Sequence, residues 1–332
     1  MKQITIIGDG GWGTALGLVL HKNGHAVRIW GPFEGYIADI QTQGENRKFL
    51  PGIPCPADIK WTADPATAMA GTDAAILAIP SKFYRDVVTR FAPLLKDCPA
   101  IASVTKGLDR DTHHRMTETA STLLGGKAVA ALSGPSHAEE VAKGAATAVV
   151  AACADHSIAE VFQTLFNCDV FRVYTSDDVI GVELGGALKN VIAIAAGVCD
   201  GIGFGDNSKA ALITRGLAEI TRLGVALGAH PATFSGLSGM GDLIVTCVSQ
   251  HSRNRRVGER LGQGQTLDEI MAQTEQVAEG VWNSANAKAL AAKKGVDVPI
   301  TDEVYAVLHE GKDPRAAVTD LLTRDPRPER DE

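Results

Sequence analysis

A glycine-rich turn set between an apolar strand and an apolar helix constrains this chain more than any other segment. Gln3-Ile4-Thr5-Ile6-Ile7 reads as a buried strand, Gly8-Asp9-Gly10-Gly11-Trp12-Gly13 follows it, and Thr14 to Leu20 reads as a helix. In a G-x-G-x-x-G turn the first glycine allows the tight bend and the second lets a pyrophosphate approach the backbone. The third lets the helix pack on the strand, and the helix N-terminus faces the phosphates. Alone the motif is weak, because a glycine turn can serve packing only. Here it leads through Asn23-Gly24-His25 to a second strand, Ala26 to Trp30, and that context points to a dinucleotide site built on Gly8, Gly10 and Gly13.

The end of the second strand says less about which dinucleotide. An acid there would hold the ribose 2′-hydroxyl of NAD, and a base nearby would meet the 2′-phosphate of NADP. Trp30-Gly31-Pro32-Phe33-Glu34 places a proline where the diagnostic charge would stand, and an acid only later. NAD and NADP both stay open, and the missing cation favours NAD.

Further short apolar runs at 74–79, 100–104, 128–132, 147–151 and 170–174 alternate with helix-like stretches such as 83–95 and 116–124. This alternation predicts an α/β fold, a Rossmann-type and largely parallel sheet over residues 1–175. Pro80-Ser81, Thr105-Lys106-Gly107 and Ser133-Gly134-Pro135-Ser136-His137-Ala138 fall at the carboxyl ends of three strands. Those ends form the rim on which open α/β sheets bind ligands. Lys106 could be a solvated turn lysine, but on that rim a ligand role is the better reading.

Beyond Ser176-Asp177-Asp178 the periodicity becomes helical and stays so, predicting an all-helical second domain over 176–323 that carries substrate and catalysis. Between Leu184 and Cys199 its first helix has a single charge, Lys189. An ammonium in apolar surroundings loses hydration and its pKa falls, which suits it to proton transfer near neutrality. The alternative is a stem lying along the core with its head in solvent. The run reads as a core helix too short for a bilayer. Helices are also expected at 208–227, 266–273, 283–294 and 301–309, and the charged, proline-broken 324–332 reads as a disordered tail.

Between these helices stand Gly239-Met240-Gly241-Asp242 and Ser252-Arg253-Asn254-Arg255-Arg256. Guanidinium groups with neighbouring Ser and Asn donors suit a phosphate, although three arginines in four residues could equally be a solvated face. Glu279, flanked by small residues, could bind a ribose or amide or cap a helix.

With 332 residues the chain exceeds the roughly 250 to 300 at which one core stops growing, so two domains are expected. A net charge of −7 gives no global attraction to nucleic acid. Six cysteines at 55, 98, 153, 168, 199 and 247 show no zinc spacing, and the histidines are scattered, so no metal site is expected. The N-terminus lacks the features of a signal peptide, which places the expected protein in the cytoplasm.

Taken in order, Gly8 to Gly13, Asn46-Arg47-Lys48-Phe49-Leu50-Pro51-Gly52, Thr105-Lys106-Gly107, Ser133-Gly134-Pro135-Ser136, Gly181-Val182-Glu183 through Leu188-Lys189-Asn190, Ser252 to Arg256 and Glu279-Gly280 resemble the NAD(P)-dependent glycerol-3-phosphate dehydrogenase family of the bacterial type. The resemblance covers nearly the whole chain. It implies reversible hydride transfer between a nicotinamide and C2 of dihydroxyacetone phosphate, giving sn-glycerol 3-phosphate for glycerophospholipid synthesis. It also implies that Lys189 is the catalytic lysine. By the same resemblance Lys106, Gly134, Ser136, Asp242, Ser252, Arg253 and Asn254 hold the phosphate substrate, with Lys106 and Arg253 also near the cofactor. Gly11, Trp12, Ala138, Val277 and Glu279 match cofactor contacts, and a homodimer is implied. Pro32 departs from the family, many of whose members carry a basic residue there. A sister dehydrogenase acting on a hydroxy acid, or a redox sensor without turnover, are the rival readings.

Overall fold

The computed structural model describes residues 1–273, 278–326, 328 and 329. Eight strands form one sheet: β1 (Gln3–Ile7), β2 (Ala26–Trp30), β3 (Lys60–Thr62), β4 (Ala74–Leu77), β5 (Ala100–Ser103), β6 (Ala130–Ser133), β7 (Thr147–Ala152) and β8 (Phe171–Ser176). Their order is β3-β2-β1-β4-β5-β6-β7-β8. The first six pair in parallel, as in Ile6 opposite Ile29 on one side of β1 and opposite Ile76 on the other. Helices cover both faces, so β4, β5 and β6 are buried at every position and read as continuous apolar runs. At β6 the direction reverses: β7 runs antiparallel to it, with Leu132 opposite Ala151, and β8 runs parallel to β7.

β3 has only three residues at the sheet edge, with Lys60 exposed, and lacks the apolar run that marked the other strands. β8 alternates, with Phe171 and Val173 inward and Arg172 and Tyr174 outward, as a strand with one solvated face does.

The helical part is organised around one helix, Val179–Ile202, 24 residues long and buried without interruption from Gly181 to Cys199. Asp178 caps it by accepting the Gly181 N–H at 2.9 Å, and Gly203 closes it at φ +90°. Its length and composition would allow it to cross a membrane, contrary to the expectation of too short a run. The window that passes this test is 89% buried inside the protein, which makes it a core helix.

Helix Arg253–Gly262 crosses this core helix at backbone contact. A Cβ on Gly258 would stand 1.9 Å from the Ile194 carbonyl oxygen, and one on Gly197 would stand 1.9 Å from that of Arg255. Any side chain at either position would drive the helices apart. This close crossing brings Arg253 and Asn254, at the start of the second helix, level with Lys189 and Asn190. The segment around Asp242 and the arginine cluster is therefore helical, over Asp242–Val248 and Arg253–Gly262, where the sequence had suggested polar stretches between helices. Pro314–Leu322 adds a further helix.

Candidate active site

The glycine turn sits at the switch point of the sheet, where β1 has β2 on one side and β4 on the other. Gly8 takes φ +129°, and a Cβ there would lie 2.2 Å from the Ala78 carbonyl oxygen. A Cβ on Gly13 would lie 2.3 Å from the Gly8 carbonyl oxygen, so only glycine lets helix Gly11–Lys22 sit this close to β1. Gly10 differs: it is the extended N-cap of that helix, and a Cβ built on it meets nothing within 4 Å. Its open side adjoins first-turn amides that have no partner within a helix. The Trp12 indole N–H is buried there without a hydrogen-bond partner. Ala138 approaches the same turn, its Cβ 3.8 Å from where a Gly11 Cβ would stand. An open cradle lined with backbone donors fits the pyrophosphate of a dinucleotide.

A second constellation comes from segments far apart in sequence. Lys189 Nζ donates to Asp242 Oδ1 at 2.6 Å and to the Thr246 hydroxyl. The other carboxylate oxygen, Oδ2, accepts from Lys106 Nζ at 2.7 Å, and Lys106 Nζ also donates to the Gly134 carbonyl at 2.7 Å. One carboxylate thus joins an ammonium from the sheet rim to one from the core helix. The Thr246 hydroxyl donates to the Asp242 carbonyl at 2.6 Å, one turn earlier on its own helix. A π-helical turn, Leu237–Gly241, precedes Asp242, and its Gly241 N–H reaches the Gly236 carbonyl at 3.1 Å. Such turns are frequent at functional sites because the wider turn re-aims the next side chains along the helix.

Burial distinguishes the two ammoniums. Lys189 is 5% exposed and Asp242 is 1% exposed, while Lys106 is only part-buried. Desolvation brings the Lys189 pKa down to about 8, against the opposing pull of Asp242. Burial alone would raise the Asp242 carboxyl, but Lys106 and Lys189 outweigh it and hold the group below its ordinary value. Two cations share one anion, so the cluster favours a further negative charge. His137, at the same rim, has its pKa lowered by burial and then by Lys189 and Lys106.

Asparagines lock the cluster together. Asn190 Nδ2 donates to the Lys106 carbonyl at 3.2 Å, and Asn190 Oδ1 accepts from Asn254 Nδ2 at 2.9 Å. Asn254 Oδ1 in turn accepts the Gly280 N–H at 2.9 Å, which leaves one Nδ2 hydrogen of Asn254 for a ligand. Asn283 Nδ2 reaches the Lys106 carbonyl at 3.4 Å and the Ala187 carbonyl at 3.0 Å. The Ser252 hydroxyl caps Arg253–Gly262 by accepting the Arg255 N–H at 3.2 Å, while Arg253 itself stays exposed. The Ser136 hydroxyl donates to the Gly134 carbonyl at 3.1 Å.

Glu279 opens helix Glu279–Lys294 and accepts the Ser81 N–H at 2.9 Å and the Ser81 hydroxyl. Desolvation pushes its carboxyl up, opposed by these bonds and by Arg253 and Arg110. It thereby ties the helical part to the sheet rim. Val277 lies outside the described residues. Thr246, Asn190 and Asn283 were not singled out as site residues. Asn190 stands in the resembling Leu188-Lys189-Asn190 segment, beside the lysine, and Thr246 stands four residues after Asp242 on the same helical face.

Comparisons with known proteins agree along the chain. Residues 3–159 match the family described as NAD-dependent glycerol-3-phosphate dehydrogenase N-terminus, and 178–319 match its C-terminus. A glycerol-3-phosphate dehydrogenase [NAD(P)+] of Geobacter metallireducens is 50% identical over 333 residues, covering 99% of each chain. That of Fusobacterium nucleatum is 48% identical, covering 98% of each. The crystal structure of glycerol-3-phosphate dehydrogenase from Coxiella burnetii superposes with a TM-score of 0.94 at 40% identity, covering 97% of this chain and 99% of that one. With its dinucleotide turn, its paired ammoniums and these likenesses over both halves, the chain belongs to the NAD-dependent glycerol-3-phosphate dehydrogenase family.

Proposed function

We propose that this protein catalyses the reversible NAD(P)H-dependent reduction of dihydroxyacetone phosphate to sn-glycerol 3-phosphate, and that the product feeds glycerophospholipid synthesis. The observation that carries this reading is the buried Lys189 ammonium held against Asp242 beside a second ammonium, Lys106. A nicotinamide, when bound, supplies the hydride to C2 or takes it back. As C2 is reduced, negative charge develops on its oxygen; Lys189 stabilises that charge and transfers a proton to the oxygen. A pKa of about 8 lets Lys189 act as donor in one direction and acceptor in the other.

Asp242 and Thr246 orient the ammonium. Lys106, Arg253, Ser136, Ser252 and Asn254 supply donors for the phosphate and hydroxyl groups, with the Gly134 carbonyl holding Lys106 in place. Gly8, Gly10, Gly11, Trp12 and Gly13 take the pyrophosphate side of the cofactor, with Ala138 alongside and Glu279 at the rim. We place the division of labour between residues 1–175 and 176–323, because β8 ends at Ser176 and the core helix begins at Val179. A cytoplasmic homodimer is the state the resemblance implies.

The test is oxidation of NADH and of NADPH, followed by absorbance, with dihydroxyacetone phosphate as acceptor and unphosphorylated dihydroxyacetone as control. Phosphate-dependent turnover is expected. Oxidation of NADH or NADPH with a keto acid as acceptor instead, the reverse of hydroxy-acid oxidation, would move the protein to a sister dehydrogenase.

A further inference from the structure

The turn after β1 holds a carboxylate that the hydride-transfer chemistry does not use. Asp9 lies between Gly8 and Gly10; its backbone carbonyl accepts Asn46 Nδ2 at 2.7 Å, which fixes the turn against the loop before Phe49. Its side chain is mostly buried, at 8% exposure, and Oδ2 has no hydrogen-bond partner. A buried carboxylate oxygen without a donor is costly, and such a group calls for a missing partner. Gly31, the first residue past β2, shows where the carboxylate points. A Cβ built on Gly31 would lie 2.4 Å from Asp9 Oδ2 and 2.6 Å from its Cγ, so the carboxylate lies against the bare Gly31 backbone.

This position has a chemical meaning in a dinucleotide fold. The end of the second strand is where the adenosine ribose is recognised, by an acid that accepts its 2′-hydroxyl or a base that meets a 2′-phosphate. In this chain the strand ends in Gly31-Pro32-Phe33, with no charge of its own. The acid arrives from the neighbouring turn instead, and the absence of a side chain at Gly31 makes room for it. Lys48 is the cation whose charge reaches Asp9, and it lies over the Phe49 ring at 5.4 Å from the centroid. Burial raises the Asp9 pKa to about 6, which leaves the group ionised above neutrality.

Resting on the dinucleotide reading of this turn, we propose that Asp9 sets cofactor choice: its carboxylate accepts the 2′-hydroxyl of the adenosine ribose and repels a 2′-phosphate, so that the protein takes NADH over NADPH. A hydrogen bond to a charged group is worth roughly tenfold to a hundredfold in affinity.

The experiment is isothermal titration of the full chain, without substrate at pH 8, with NADH, NADPH, adenosine 5′-monophosphate and adenosine 2′,5′-bisphosphate. NADH should bind at least about tenfold more tightly than NADPH, and the two mononucleotides should differ in the same sense. Asp9→Asn, which keeps an acceptor but loses the charge, should narrow the ratio mainly by tightening NADPH. Asp9→Ser replaces it if the Asn variant does not fold. Equal or tighter binding of NADPH by the native chain, or a ratio unchanged in the variant, overturns the assignment to Asp9 while leaving the dinucleotide site intact. Failure of all four ligands to bind removes the dinucleotide reading itself, and the role of Asp9 with it.

Discussion

The two parts of the site are made by opposite means. The turn after β1 is made by leaving side chains out: Gly10 has open space where a Cβ would be, and backbone amides provide the donors. The Lys189 cluster is made by bringing side chains in, with two ammoniums and a carboxylate sealed by asparagines from three helices. Glycine serves both, but differently. At Gly10 the missing methyl leaves room for a ligand, while at Gly258 and Gly197 it leaves room for another helix backbone. A site made from backbone is therefore robust to charge and sensitive to added bulk. A site made from side chains depends on each charge, and on a fold that holds them at close quarters.

Lys189→Met gives the largest expected effect. Losing acid–base assistance costs about 10² to 10⁴ in kcat. Asp242 keeps Lys106 as its partner, so the carboxylate is not left alone in the core, and reduced cofactor should still bind with native affinity when titrated. Retained turnover would remove Lys189 from its role. Loss of cofactor binding would show that the two parts are not separately built.

Gly258→Ala ranks next. The methyl would stand 1.9 Å from the Ile194 carbonyl oxygen, so the helices must separate. Alanine gains about 1 kcal/mol of helix propensity, but overpacking costs typically about 1 to 3 kcal/mol and more against rigid backbone. Net destabilisation in urea unfolding is expected, with activity falling because Asn254 moves away from Asn190. Gly10→Ala should do the reverse. Its backbone angles, φ −67° and ψ 171°, are ones alanine adopts, and nothing stands in its way. Unfolding should be nearly unchanged, while the affinity for NADH drops roughly tenfold as the methyl enters the pyrophosphate path. A stability loss at Gly10 equal to that at Gly258 would erase the distinction between the two uses of glycine.

The same difference explains how much could be read in advance. The turn lies within six residues, flanked by a strand and a helix whose periodicities are plain, so the dinucleotide cradle was legible locally. The parallel strands followed from their apolar runs. The reversal at β7 did not, because a strand's sequence does not encode the direction of its neighbour, and β3 was too short to show a pattern. Lys189 stood out as the one charge between Leu184 and Cys199 of an apolar helix. Its cluster joins Asp242 to lysines 53 and 136 residues away along the chain, and that grouping was reached through family resemblance rather than spacing. The roles of Asn190 and Asn283 as braces, and the orphaned oxygen of Asp9, exist only once backbones are in place.

The smallest expected effect is a shift of pH dependence, and it bears on the side-chain part alone. Burial places the Lys189 pKa near 8, below the ordinary lysine value of 10.5. Reduction of dihydroxyacetone phosphate needs the ammonium, so its kcat/KM should fall as pH rises through about 8, and oxidation of glycerol 3-phosphate, which needs the free amine, should rise through the same pH. Folding stability has the matching sign. Between about 8 and 10.5 the unfolded chain holds a proton on this lysine that the folded one has lost, so the Lys189 contribution to stability rises with pH across that window. Asp242 supports the charged form, and Asp242→Asn removes that support while leaving a hydrogen-bonding oxygen in place. The alkaline limb for reduction should therefore move to lower pH in the variant, with cofactor binding at the glycine turn unaffected. A limb that stays where it was would show that burial alone sets the proton affinity of Lys189, and that the carboxylate serves only to position it.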